Sequence, residues 1–271
     1  MSTASRSTSL LQNKHAVIFG AGGAIGEAVA KEFAAQGATV FLSGRHLASV
    51  EQVAADIRQD MGVAYAAEVD ALDERAVSVY LDGVAQEAGS IDILLNVTGP
   101  QAKDYGNGTS TLELPLEQFL LPLTTLVPSQ FITARAAARH MIQQKAGVIL
   151  FVTASPARGM ANGSAIGSAF GAMESLLRCL AGDLSPQGIR VVGLRSGGML
   201  ETRALQQSVE NVARTLGIPK EQVVSVIEQA YLLKRHATLA DTAKLLAFLA
   251  SDEAATITGA IMNASSGMIL D

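Results

Sequence analysis

The stretch FGAGGAIGEAVAKEFAAQGATV, from Phe19 to Val40, decides the fold. An apolar strand ends at Gly20, a glycine-rich turn follows, a helix opens near Ile25 and Gly26, and a second strand begins at Thr39. Such a turn brings backbone close to a pyrophosphate while the helix amides and the helix dipole face its negative charge. Gly20, Gly22, Gly23, Ala24, Ile25 and Gly26 are therefore a candidate anion cradle. The alternative is a tight packing turn that binds nothing.

Outward from this unit, short β-rich runs alternate with longer helical patterns. The periodicity predicts strands at His15 to Gly20, Thr39 to Ser43, Ala64 to Val69, Ile91 to Asn96, Gly147 to Thr153, Ile189 to Leu194 and Ala260 to Asn263, with helices such as Gly26 to Gln36 and Glu74 to Ala88 between them. Strands apolar on both faces belong in a parallel sheet covered by helices on each side. The expected fold class is α/β, a single-domain doubly wound parallel sheet whose ligands sit at the carboxyl ends of the strands.

The chain has 271 residues, 49% of them hydrophobic, and no linker interrupts the pattern, so one domain over 13–271 is expected. A chain of this size buries roughly three quarters of its unfolded surface. The Ser/Thr-rich start, MSTASRSTSLLQ, reads as a disordered tail over residues 1–12. A formal charge of -5 and a pI near 5.4 give no basic footprint for nucleic acid or anionic lipid. With no transmembrane pattern either, a small molecule is the expected partner. One cysteine, Cys179, excludes an internal disulfide, suits a reducing cytoplasm and is expected to pack within its helix. His15, His46, His140 and His236 show no pairing at metal-ligand spacing, so no metal site is expected.

The turn resembles the TGxxxGxG element of the short-chain dehydrogenase/reductase family. Gly20 and Gly26 match its first and last glycines, Ala24 replaces the middle one and Phe19 the Thr. Further landmarks follow in the family's order. Val69 and Asp70 are similar to the pair that contacts adenine, and Asn96 and Gly99 in LLNVTG to the NNAG element. The segment RHATLADTAKLLAFLASDEAATITGAIMNASSG is similar to the closing one, with Ala264 to Gly267 in place of VDGG. The resemblance runs from about Lys14 to the carboxyl terminus and implies a Rossmann fold that binds a nicotinamide cofactor. Gly44 stands where an acidic residue would select NAD(H), with Arg45 beside it, so NADP(H) is favoured over NAD(H). Ser43 and His46 are candidates to help hold the extra phosphate; Arg45 as a plain solvated residue is the alternative.

The catalytic positions depart from the family. Its Tyr, and the Lys four residues later, fall on Ile166 and Phe170, in a register anchored by Leu180, Ala181, Asp183, Gly188 and Arg190. Neither residue titrates. The family's Ser falls on Thr153, with Ala154 and Ser155 as neighbours, and its Asn on Leu126. Pro122 and Pro128 are expected to interrupt the helix around Leu126. Leu126, Ala154, Ile166, Phe170, Arg195 and Met199 are the candidate substrate pocket, and Thr202 is similar to the Thr that bonds the nicotinamide amide.

Two functions follow. One is an atypical NADP(H)-dependent oxidoreductase acting on a small hydrophobic iminium, enone or carbonyl compound, with Thr153 or Ser155 orienting the substrate and Tyr105 a substitute donor. The other is a catalytically silent or non-redox protein, a binding or assembly subunit or a cyclase-type cavity. Tyr105 as an exposed loop aromatic remains an alternative, as does Met160 as lid packing. Arg195 either binds an anionic substrate or pairs with Glu201 on the surface, and Arg158 and Asn162 pose the same choice. Glu174 is expected at a subunit contact, because a homodimer or homotetramer through Phe131 to Met141 and Ala165 to Ala181 is what the resemblance implies.

Overall fold

A computed structural model describes residues 9–270. Seven strands form one wholly parallel sheet: β1 (His15–Phe19), β2 (Thr39–Gly44), β3 (Val63–Glu68), β4 (Ile93–Asn96), β5 (Gly147–Ala154), β6 (Ile189–Ser196) and β7 (Ile261–Ala264). Their order is β3-β2-β1-β4-β5-β6-β7, so the winding reverses between β1 and β4. A crevice opens at the carboxyl ends of the strands beside that reversal.

Alternation within each strand fills both faces. Ala16 and Ile18 of β1 pack with Val29 and Phe33 of α1 (Ala24–Ala35), Val53 of α2 (Leu47–Gln59) and Leu246 of α8 (Leu239–Ala250). Val17 and Phe19 face the opposite layer, with Leu81 of α3 (Glu74–Ala88), Ala134 of α4 (Leu116–Gln144) and Met173 of α5 (Ser164–Leu184). Two further helices, α6 (Arg203–Leu216) and α7 (Lys220–Ala230), pack on each other around Val209, Ala213 and Val223 and cover the crevice. Local signals end the helices where they should: Asp73 accepts the Arg75 and Ala76 amides ahead of α3, and Gly89 closes it at φ +83°.

Three expectations need correction. Residues 9–12 of the anticipated tail are ordered, because Leu11 is buried and its amide donates to the Gln36 carbonyl at 2.9 Å; residues 1–8 lie outside the described residues. Pro122 and Pro128 do not interrupt α4, which runs unbroken for 29 residues. The Thr124 and Thr125 hydroxyls donate to the Leu120 and Leu121 carbonyls in this stretch, so side chains supply hydrogen bonds alongside the proline positions. Cys179 is exposed on α5 rather than packed.

Candidate active site

The glycine turn is built by close approach. Gly20, at φ +80°, and Ala21 both donate their amides to the Ser43 carbonyl, at 2.8 and 3.1 Å, which hooks the end of β1 onto β2. A Cβ on Gly20 would lie 2.8 Å from the Thr98 nitrogen, and one on Gly26 only 2.3 Å from the Gly20 carbonyl oxygen. Side chains are excluded at both positions. On the outer side Gly22 and Gly23 are exposed, and a Cβ on Gly23 would meet only the Gly20 oxygen at 3.4 Å. Ala24 is the first residue of α1, so its methyl sits on the helix and leaves the mouth of the turn clear. The first-turn amides of α1 have no acceptor within the helix and point out of this open end. The cradle therefore fits a dinucleotide pyrophosphate.

Around it the expected cofactor residues separate. Arg45 is exposed and takes part in no ion pair among the described residues. Asp70 is exposed, with Oδ1 accepting the Leu72 amide at 3.0 Å, and the exposed His46 stands at the N-cap position of α2 without a side-chain capping hydrogen bond. Asn96 is buried and committed to the protein: its Nδ2 donates to Thr133 at 3.2 Å and its Oδ1 accepts the Thr98 amide at 2.9 Å. Ser43 is a correction. Its side chain is wholly buried beside the Tyr80 phenol, so its contribution is the backbone carbonyl that fastens the turn.

A cavity of about 530 Å³ continues from Ile25, Asn96 and Gly99 beneath α6 and α7. Leu126, Thr153, Ala154, Ser155, Ile166, Phe170, Met199 and Thr202 all line it, as do Met160 and Tyr105. No charged side chain among the described residues does. Arg195 is a second correction: it is 2% exposed and does not reach the wall. Its guanidinium grips Glu174 in a two-point pair, Nε to Oε1 and Nη2 to Oε2, both at 2.8 Å. Glu201 instead accepts the Leu239 amide, and Glu174, 4% exposed, is buried inside this chain rather than offered to a neighbouring subunit. The cross-strand register places Thr153 opposite Arg195, and the Thr153 hydroxyl donates to Glu174 Oε1 at 3.0 Å.

That last bond revises the expected roles of Thr153 and Ser155. Every Ser and Thr hydroxyl on the cavity wall donates its proton to a protein acceptor. Thr98 gives to Asn96 Oδ1, Thr153 to Glu174, Ser155 to the Ser196 carbonyl, Ser196 to the Thr153 carbonyl, Thr202 to the Met199 carbonyl and Ser208 to the Ala204 carbonyl. Thr153 and Ser155 can accept from a ligand but have no proton to offer it. Tyr105 differs. It is 7% exposed, where an exposed aromatic was the alternative, and its hydroxyl has no hydrogen bond among the described residues. Burial pushes this phenol up to about 12.

Gln130 and Tyr231 are among the wall residues that were not foreseen. Gln130, one turn beyond Leu126 on α4, donates Nε2 to the Asn96 carbonyl at 2.6 Å. Tyr231, 2% exposed, follows α7; burial raises its pKa, against the backbone of Gly198, whose hydrogen bond lowers it. The i, i+4 relation of Gln130 to Leu126 was visible in the sequence. Nothing in the sequence placed Tyr231, which reaches the cavity only because α7 folds back over it.

The family described as enoyl-(acyl carrier protein) reductase matches residues 20–269. The 7alpha-hydroxysteroid dehydrogenase of Escherichia coli (strain K12) is 30% identical over 262 residues, covering 95% of this chain and 94% of its own. The meso-2,3-butanediol dehydrogenase of Serratia marcescens is 29% identical, with 94% of each chain covered. Among solved structures, NAD+-bound xylitol dehydrogenase superposes with a TM-score of 0.87 at 27% identity, covering 95% of this chain and 99% of that one. A glycine cradle at the sheet's reversal point, a cavity under α6 and α7, and these full-length likenesses agree: the chain belongs to the short-chain dehydrogenase/reductase family of oxidoreductases.

Proposed function

We propose that the protein binds NADP(H) in preference to NAD(H) and moves hydride to or from a small hydrophobic iminium, enone or carbonyl compound without a Tyr/Lys acid-base pair. One observation carries the reading: the glycine cradle opens into an uncharged cavity in which Ile166 and Phe170 occupy the wall. When bound, the nicotinamide supplies or accepts the hydride. The chain's own residues bind, orient and exclude water: Ile25 and Gly99 border the cradle side, Ile166 and Phe170 keep the far wall dry, and Tyr105 donates to a substrate oxygen. An enone takes hydride at carbon and its proton later from water, and an iminium is neutralised by the hydride itself. Neither substrate needs the missing pair.

Gly44 and the exposed Arg45 support the cofactor preference, since a guanidinium binds a 2′-phosphate with two parallel hydrogen bonds. The xylitol dehydrogenase neighbour holds NAD+, and the preference proposed rests on this chain's own strand end.

A second reading, a silent or non-redox protein, is favoured by the same uncharged walls. Titration with NADPH and NADH by fluorescence, followed by nicotinamide absorbance during turnover, separates the two. Binding of neither dinucleotide removes the redox reading; binding without turnover on any enone or iminium favours the second.

A further inference from the structure

The hydroxyl protons of the cavity point to its ligand. With the six Ser and Thr hydroxyls committed to protein acceptors, the phenols Tyr105 and Tyr231 are the hydroxyls of the described wall whose protons are left to donate. They come from different segments of the chain. Tyr105 belongs to the segment before α4 and adjoins Asn162 to Ile166 at the start of α5. Tyr231 follows α7 and lies against Gly198, where a Cβ would sit 3.4 Å from its oxygen. Its ring is held edge-on to His236 with centroids 5.1 Å apart, and His236 Nδ1 contacts the Gly198 carbonyl at 3.2 Å, so the phenol is fixed in place.

A largely apolar cavity with no charged residue on its described wall disfavours an ion, and hydroxyl donors that face it favour a ligand carrying acceptors. We infer that the ligand of this cavity is an uncharged, largely apolar molecule carrying two hydrogen-bond-accepting oxygens, one bound by Tyr105 and the other by Tyr231. The inference rests on the cavity being the substrate site, and narrows the iminium, enone and carbonyl classes to neutral oxygen compounds. Tyr231 is a positioning residue.

The test uses a rigid series on the cofactor-free protein: trans-2-decalone, trans-decalin-2,6-dione and trans-decalin-2-carboxylate, titrated by calorimetry. The dione should bind more tightly than the mono-ketone by about 2- to 12-fold, the worth of one neutral hydrogen bond, and the carboxylate at least about tenfold more weakly than the mono-ketone. Tyr105→Phe and Tyr231→Phe, which keep the rings, should each bring the dione down to the mono-ketone's affinity. Equal binding of dione and mono-ketone by the wild-type protein overturns the inference without recourse to any variant. So does a Tyr231→Phe protein that binds the dione unchanged, or one that loses affinity only for NADPH. Failure of both dinucleotides to bind would remove the redox reading and leave the dione result standing.

Discussion

The two halves of the crevice treat polarity in opposite ways. Around β1, α1 and β2, with the buried Ser43 hydroxyl the exception, open groups face outward: the first-turn amides of α1, and an exposed Arg45 with no ion pair among the described residues. Around β5, α5 and β6, the polar groups face inward, with Thr153, Glu174 and Arg195 bonded to one another behind an uncharged wall. A surface with open donors recruits a charged partner; one that has satisfied its own donors selects by shape. The difference is one of hydrogen-bond satisfaction rather than composition, since both halves contain charged residues.

The largest effect tests the inward half. Glu174→Leu leaves Arg195 buried without its carboxylate and should destabilise the protein by about 3–5 kcal/mol in denaturant unfolding, whereas replacing both residues with apolar ones of similar volume should cost far less. If the single change were as mild as the double one, the pair would not be dry.

Chemistry sharpens the same contrast. The wild-type protein should be nearly inert toward simple ketones, by about 10²- to 10⁴-fold against a relative with a positioned acid. Ile166→Tyr and Phe170→Lys together should recover part of that gap, and either alone little, because such groups act as a unit. Brisk wild-type ketone reduction that is unaffected by substitution of Thr153, Ser155 or Tyr105 would put the catalytic centre elsewhere.

For the outward half, Arg45→Ala should weaken NADPH by about tenfold or more and leave NADH nearly unchanged, as expected for a lost charge-assisted hydrogen bond. Gly44→Asp should reverse the preference. Its new Cβ would lie 3.0 Å from Val50 Cγ2, so Val50 has to yield for the carboxylate to fit. Titrating both variants with both dinucleotides checks the sign.

The smallest effect concerns Tyr105. Its folded pKa is raised above the unfolded phenol's value near 10, so its contribution to stability is intact below about pH 10 and fades as pH rises towards about 12. Stability measured across that window should fall less steeply in Tyr105→Phe. Sedimentation checks the homodimer or homotetramer expected from the family. Ala134, Ala137 and Ala169 are buried within the chain itself, so any contact along α4 and α5 has to use exposed groups such as Phe131.

The strand positions, the glycine turn and the place of Ile166 and Phe170 on one face of α5 were legible in the sequence, because they follow from local periodicity and from spacing within one helix. Leu126 and Gln130 were equally accessible as neighbours on one helical face. Arg195 was misjudged because its partner, Glu174, is 21 residues away and meets it only where α5 packs on β6. The same packing turned the Thr153 proton away from the cavity.

What the sequence by itself determined is the doubly wound fold, its glycine turn and the apolar identity of Ile166 and Phe170. Tertiary structure alone decided which hydroxyls keep a free proton. That outcome depends on distances between segments far apart in the chain, where a few tenths of an ångström separate a made hydrogen bond from a donor left open to a ligand.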